Sequence, residues 1–289
     1  MTNKLWRALA GVAVIGSSLV CGAQRHDAYK LEDREPVSHT FTGDKTIEVD
    51  LVNGSLNVVG DGGSTMRVTG ERVIRAANQD QITRAKRDDV LDMNEKDGIA
   101  QVYENGPFRN NNNHSSDDHG FHDTSERQYD VAWNLTVHVP RETALRLRSV
   151  NGGVTAQDTS GTFDVRSVNG PLVMINITGS GTASAVNGTN TVSFRENPKA
   201  DSAFTSVNGK IELTFQPNLS ADFNLKTVNG GMYTDFESTA LASTGTPTQD
   251  NGKFVYRNRG ESRIRIGAGG PQIRIYTVNG SIQIKKQTK

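Results

Sequence analysis

Val-Asn-Gly occurs seven times in this chain of 289 residues, with its asparagines at Asn53, Asn151, Asn169, Asn187, Asn208, Asn229 and Asn279. No other feature restricts the fold as much. Six and four residues before the Asn the chain is apolar at Ile47 and Val49, Leu145 and Leu147, Phe163 and Val165, Phe223 and Leu225, and Ile273 and Ile275. Three and five residues after it stand Leu56 and Val58, Leu172 and Met174, Ile211 and Leu213, and Ile282 and Ile284. Each flank alternates with period two, which describes a strand with one buried face. Two residues before the Asn the same face carries Ser149, Ser167, Ala185, Ser206, Thr227 and Thr277, with Leu51 the one large residue. Small side chains there imply a tight corner. Asn tolerates the left-handed backbone region and Gly has no Cβ, so the pair suits such a corner.

Two all-β architectures satisfy this pattern. In an antiparallel meander each Asn-Gly is a type I′ hairpin turn. In a parallel β-solenoid each is a corner of one coil, stacked on the corners of other coils. From Asn151 onward the asparagines are 18, 18, 21 and 21 residues apart, a regular period of the kind stacked repeats produce. A hairpin needs only Asn-Gly, whereas a stack also rewards sameness, because identical amides at one level can bond along the axis. The recurring Val favours the solenoid, and the Asn208 amide is then expected to bond its counterparts at Asn187 and Asn229.

Asn53 and Asn151 are 98 positions apart, and an insertion over residues 76–128 fills most of the gap. The segment from Asn78 to Gly98 has caps at both ends and a weak apolar stripe of Ile82, Ala85, Val90 and Met93, which predicts one helix. "YDVAWNLTVHVP" alternates from Tyr129 to Val139 until Pro140 stops it, and reads as a strand. "STGTPTQDNG", residues 243–252, reads as a loop. "FRNNNNHSSDDHGFHD", residues 108–123, reads as a polar low-complexity loop. Its His114, Asp117, Asp118, His119, His122 and Asp123 are oxygen and nitrogen ligands in close sequence, with His114, Asp118, His119 and His122 the candidates for a metal ion, though no cysteine or strand is there to hold them. No cofactor is expected.

The first 23 residues read as a secretory signal, with Lys4 and Arg7 before an apolar run from Ala8 to Val20 and small residues closing it at Cys21-Gly22-Ala23. The run falls short of the roughly 20 residues a membrane-spanning helix needs. Val20 stands where a lipoprotein signal requires a small residue, so cleavage after Ala23 is expected, leaving Gln24 first and no cysteine. Without Lys4 and Arg7 the chain has 30 basic and 32 acidic residues, a balance that predicts no attraction to nucleic acid. The expected organisation is a signal over 1–23, a linker over 24–40 and one β domain over 41–287.

"SVNGGV", "SVNGKI" and "TVNGSI", the "VHVP" strand before the first close-set repeat, and the terminal "IRIGAGGPQIRIYTVNGSIQIKK" together resemble the bacterial putative-adhesin family of β-strand-repeat domains of unknown function. The resemblance covers about residues 41–287 and implies a secreted or envelope-attached β-solenoid with no enzymatic site to carry over. The reading that follows is a non-enzymatic adhesion, structural or protein-interaction module in the periplasm, envelope or exterior of a bacterium. Its partner would be an envelope protein, a glycan or a surface. Two alternatives stand beside it. A polysaccharide-active β-helix enzyme would need converging carboxylates, but Asp164, Glu212 and Asp235 do not recur in register. An envelope sensor or regulatory partner would, like the module, need only a binding face.

Overall fold

The fold was obtained as a computed structural model, which describes residues 29–42, 46–108, 127–241, 248–250, 253–255 and 261–288. In chain order the strands are β1 (Leu31–Thr42), β2 (Thr46–Asn53), β3 (Leu56–Asp61) and β4 (Thr65–Ala76), followed by helix α1 (Gln79–Asp88). Next come β5 (Val90–Lys96), β6 (Ile99–Asn105) and β7 (Tyr129–Pro140). The close-set repeats supply β8 (Ala144–Asn151), β9 (Val154–Gln157), β10 (Phe163–Asn169), β11 (Leu172–Ile177), β12 (Gly181–Asn187) and β13 (Asn190–Phe194). They continue through β14 (Ser202–Asn208), β15 (Ile211–Phe215), β16 (Ala221–Asn229) and β17 (Met232–Thr234). The last strands are β18 (Ser238–Ala240), β19 (Thr248–Asp250), β20 (Lys253–Val255), β21 (Glu261–Ile266), β22 (Gln272–Asn279) and β23 (Ile282–Lys286).

Two large mixed sheets contain nearly all of these strands. The first has ten, in the order β1-β4-β7-β3-β9-β11-β13-β15-β23-β17. The second has eleven, in the order β18-β21-β16-β22-β14-β12-β10-β8-β2-β6-β5. The strand before each Asn-Gly lies in the second sheet and the strand after it in the first. Within each sheet, successive repeats pair in parallel and in register, so Phe163 faces both Leu145 and Gly181.

The period-two alternation turns one face of each sheet inward. The seven corners rest on rows such as Val49, Leu147, Val165, Ala183, Phe204, Ile275 and Leu225, all buried. Toward the C-terminal repeats the filling becomes aromatic. Phe194 stacks on Phe215 at 4.9 Å, meets Phe204 edge-on at 6.2 Å, and Phe215 meets Phe223 edge-on at 5.8 Å. Fully burying a side chain of this size contributes about 1.5–3 kcal/mol, so these rows supply most of the driving force.

Three sequence expectations change here. The helix begins as its cap predicts, with the Asn78 side chain accepting the Gln81 N–H at 3.0 Å. It ends at Asp88, however, and residues 90–96 form β5, paired antiparallel with β6 through a turn in which Asp97 and Gly98 both have positive φ. Asp-Gly between strands is a hairpin signal, and it outweighed the weak helical stripe. Only Ile82 and Ala85 of that stripe are buried, as α1 packs against β4 and β7. Residues 31–40, within the stretch read as a linker, form most of β1, an edge strand antiparallel to β4. Of the stretch read as a loop at 243–252, residues 248–250 are described; they form β19, which pairs with β20 in a separate two-stranded sheet.

Candidate functional site

The in-register pairing gathers the seven repeat asparagines into one column. Asn53 faces Asn151, and the series continues through Asn169, Asn187, Asn208, Asn279 and Asn229. Each Nδ2 donates to the Oδ1 of the neighbour nearer Asn53, at 2.9, 2.9, 2.9, 2.8, 2.7 and 2.7 Å. The partners of Asn208 are therefore Asn187 and Asn279, and the expected contact with Asn229 is not made. β22 enters between β14 and β16, so the last repeat in sequence is the sixth along the axis. All of the column but Asn53 is exposed, which keeps each bond to about 1 kcal/mol or less in net terms.

Beneath the amides, the small residue two before each Asn has a chemical task as well as a steric one. Ser149 Oγ donates to the Gly152 carbonyl at 3.2 Å, and Thr227 Oγ1 to the Gly280 carbonyl at 2.9 Å. Ser167, Ser206 and Thr277 likewise donate to corner glycine carbonyls. The glycines themselves are required by close approach more than by backbone conformation. A Cβ on Gly188 would lie 2.1 Å from the Gly170 carbonyl oxygen, and one on Gly209 would lie 2.0 Å from that of Gly188. None of the seven asparagines adopts positive φ, and among the corner glycines directly after them only Gly54 does. The left-handed corner expected from Asn-Gly is thus replaced by backbone packed on backbone.

The corner of Asn53 has Leu51 in place of the hydroxyl and no identical corner on its outer side. Glu104 closes it. This carboxylate is fully buried, and its Oε2 accepts the N–H groups of both Val52 and Asn53. Nothing in the local sequence marks Glu104 for this role, because its partners are 51 and 52 residues away.

Outside the column runs a ridge of exposed valines, Val150, Val168, Val186, Val207 and Val228, the last 57% exposed. The next outward row of the second sheet reads Asp50, Arg148, Arg166, Ser184, Thr205, Tyr276 and Lys226. The row beyond it reads Glu48, Arg146, Asp164, Thr182, Ala203, Arg274 and Asn224. Asp164 is engaged by Arg166 in two bonds of 3.1 Å. Glu212 faces outward from the first sheet, where hydrogen bonds from Lys210 and then Lys285 hold its carboxyl below the usual range. Asp164 and Glu212 therefore point away from different sheets and form no catalytic pair.

His114, Asp118, His119 and His122 lie outside the described residues. Among the described residues no group of three or more His, Cys, Asp or Glu is placed to hold a metal ion, and no helix is long and apolar enough to cross a membrane. The proposed signal also lies outside the described residues.

No protein-family model and no curated protein matches the chain. Among solved structures it is similar to a putative cell adhesion protein from Clostridium sporogenes, at 9% identity over 88% of this chain and 100% of that one, with a TM-score of 0.37. It is also similar to a putative adhesin from Bacteroides fragilis, at 12% identity over 88% of this chain and 97% of that one, with a TM-score of 0.29. A putative lipid binding protein from Parabacteroides distasonis gives 9% identity over the same shares and a TM-score of 0.23. At such values no residue role carries over from these proteins to this one.

Proposed function

We propose that the chain is an exported β-solenoid that works without catalysis, as an adhesion, structural or protein-interaction module of the bacterial envelope. The observation that carries the reading is the column of seven corners. The residues that recur are committed to stacking one coil on the next, through side-chain amides, hydroxyls and glycine carbonyls. What the stack then offers to the outside is long rows of side chains at fixed spacing, which is the form of a binding surface. Residues 41–287 constitute the module in this reading, with residues 76–128 inserted after the first coil. Export rests on the charged, apolar and small-residue segments of residues 1–23.

N-terminal sequencing and fractionation of the protein from its native host test the proposal. The expected product starts at Gln24 and is found in the envelope or the medium. Crosslinking in cells from the exposed Val186 or Val207 is expected to trap an envelope component. An unprocessed chain in the cytoplasm would overturn the proposal, and lipid on Cys21 would replace the cleaved form with an anchored one.

A further inference from the structure

We propose that the outward face of the second sheet is a track for an acidic polysaccharide, laid across the strands along the row Arg148, Arg166, Ser184, Thr205, Tyr276 and Lys226. The proposal rests on the reading of the chain as a binding module and names its ligand class and face.

Charge is the first ground. The chain is neutral by formal charge, yet the outward residues of β8, β10, β12, β14, β22 and β16 include five cations, Arg146, Arg148, Arg166, Arg274 and Lys226, against two carboxylates, Asp164 and Asp222. Both carboxylates are taken, Asp164 by Arg166 and Asp222 by Arg265 at 2.7 and 2.8 Å. Arg148 and Arg274 are exposed and have no carboxylate partner among the described residues. Arg148 sits directly opposite Arg166 on one neighbouring strand and Asp50 on the other. Like charges so placed destabilise a sheet, and a bound polyanion would reverse the sign of that contribution.

The rest of the row suits a sugar. Ser184 and Thr205 present hydroxyls bonded to each other at 2.8 Å. Tyr276 is 38% exposed, and Lys226 lies 5.5 Å from the centre of its ring. Guanidinium groups pair with carboxylates in bidentate fashion, and an aromatic face packs against a pyranose ring. The strands are spaced by about 4.8 Å, close to the advance of one sugar residue in an extended chain, so each coil meets one residue of the polymer. A flat row in single file fits a linear chain better than a lipid surface.

The test uses the mature protein with polygalacturonate, neutral dextran, and vesicles of phosphatidylcholine with phosphatidylglycerol, followed by titration calorimetry at low salt. Polygalacturonate should bind in preference to dextran and vesicles, and should weaken as salt rises. Arg148→Ser with Arg274→Ser should weaken it by about tenfold or more. Tyr276→Ala should weaken it several-fold, and Lys285→Ser, on the other sheet, should leave it unchanged. Urea melts show that each variant is folded. Equal binding by wild type and the arginine variants would overturn the track while leaving the module reading in place. Failure of the wild type to bind polygalacturonate would overturn the proposal, as would vesicle binding with the same arginine dependence. The module reading fails on different evidence, namely retention of the chain in the cytoplasm.

Discussion

The corner column and the N-terminal cap hold one molecule together by opposite means. In the column each corner meets others like it, so neutral groups satisfy each other: amide to amide, hydroxyl to carbonyl, glycine against glycine. In the cap, β1, β4, β7 and α1 meet nothing like themselves, and the contacts are unique and charged. Arg34 pairs with Glu71 at 2.8 Å, Arg75 with Glu32 at 2.9 Å, and Lys86 with Asp33 and Glu35 at 2.5 and 2.7 Å. Arg72 joins Glu35 and donates to the Lys86 and Asp89 carbonyls at the end of α1, while Trp133 Nε1 donates to the buried Asp89 at 2.8 Å. Repetition solves the interior of a stack but cannot solve its ends. The terminal corner lacks a twin on its outer side, and dedicated residues such as Glu104 must take the place of one. Charges also line the two outer edges at this end, with Glu32, Asp33, Arg34 and Glu35 on β1 and Asp92, Glu95 and Lys96 on β5, and together with Pro36, which lacks an N–H, they discourage pairing with another chain.

The largest expected effect falls on the column. Gly188→Ala forces a methyl group into a backbone carbonyl and should cost about 3 kcal/mol, or prevent cooperative folding. Gly62→Ala, where an added Cβ meets nothing within 4 Å, should change stability by less than about 0.5 kcal/mol. Urea melts followed by Trp133 fluorescence compare them, and equal costs would break the claim of backbone packing. Next, Glu104→Ala leaves the Val52 and Asn53 N–H groups without their acceptor and should cost about 2–3 kcal/mol, whereas Glu104→Gln, which retains an acceptor oxygen, should cost less.

Smaller effects sharpen the contrast between middle and end. Asn208→Ala removes two bonds at about 1 kcal/mol in total, and Asn229→Ala removes one at about half that. The double variant of Asn187 and Asn208 should be non-additive, because the two share a bond. Strict additivity would show that each Asn acts alone, as a turn former in a meander would. Axial order has its own check: cysteines replacing Asn208 and Asn279 should crosslink, and cysteines replacing Asn208 and Asn229 should not.

The weakest effect is electrostatic and confined to the cap. Hydrogen bonds from Lys86 and then Arg72 depress the folded pKa of Glu35, and those from Arg34 and Arg75 depress that of Glu32. A depressed carboxyl stabilises the fold above its unfolded pKa and loses that contribution as pH falls through the folded value. Hydrogen exchange of β1 should therefore quicken below about pH 4, with little change at the column from Asn169 to Asn229, where amides, hydroxyls and glycines do not titrate. Equal quickening in both regions would remove the distinction.

The sequence by itself determined whatever depends on neighbours along the chain. Period-two alternation marked the buried faces, and β7 buries Tyr129, Val131, Trp133, Leu135, Val137 and Val139 up to Pro140 as its pattern predicts. The Asn78 cap placed the start of α1, and the small residues two before each Asn announced a crowded corner. Tertiary structure decided whatever depends on partners far away. Ile82, Ala85, Val90 and Met93 fit a helix or a helix followed by a strand, and the presence of β6 beside residues 90–96 chose the second. Glu104 became a cap only because β6 lies next to β2. Above all, identical corners are interchangeable: Asn279 stacks as well on Asn208 as on any other, so the repeat could specify that the asparagines bond in a column but not in which order. The order came from β21, which packs antiparallel on the outer side of β16 and leaves the returning β22 to enter between β16 and β14.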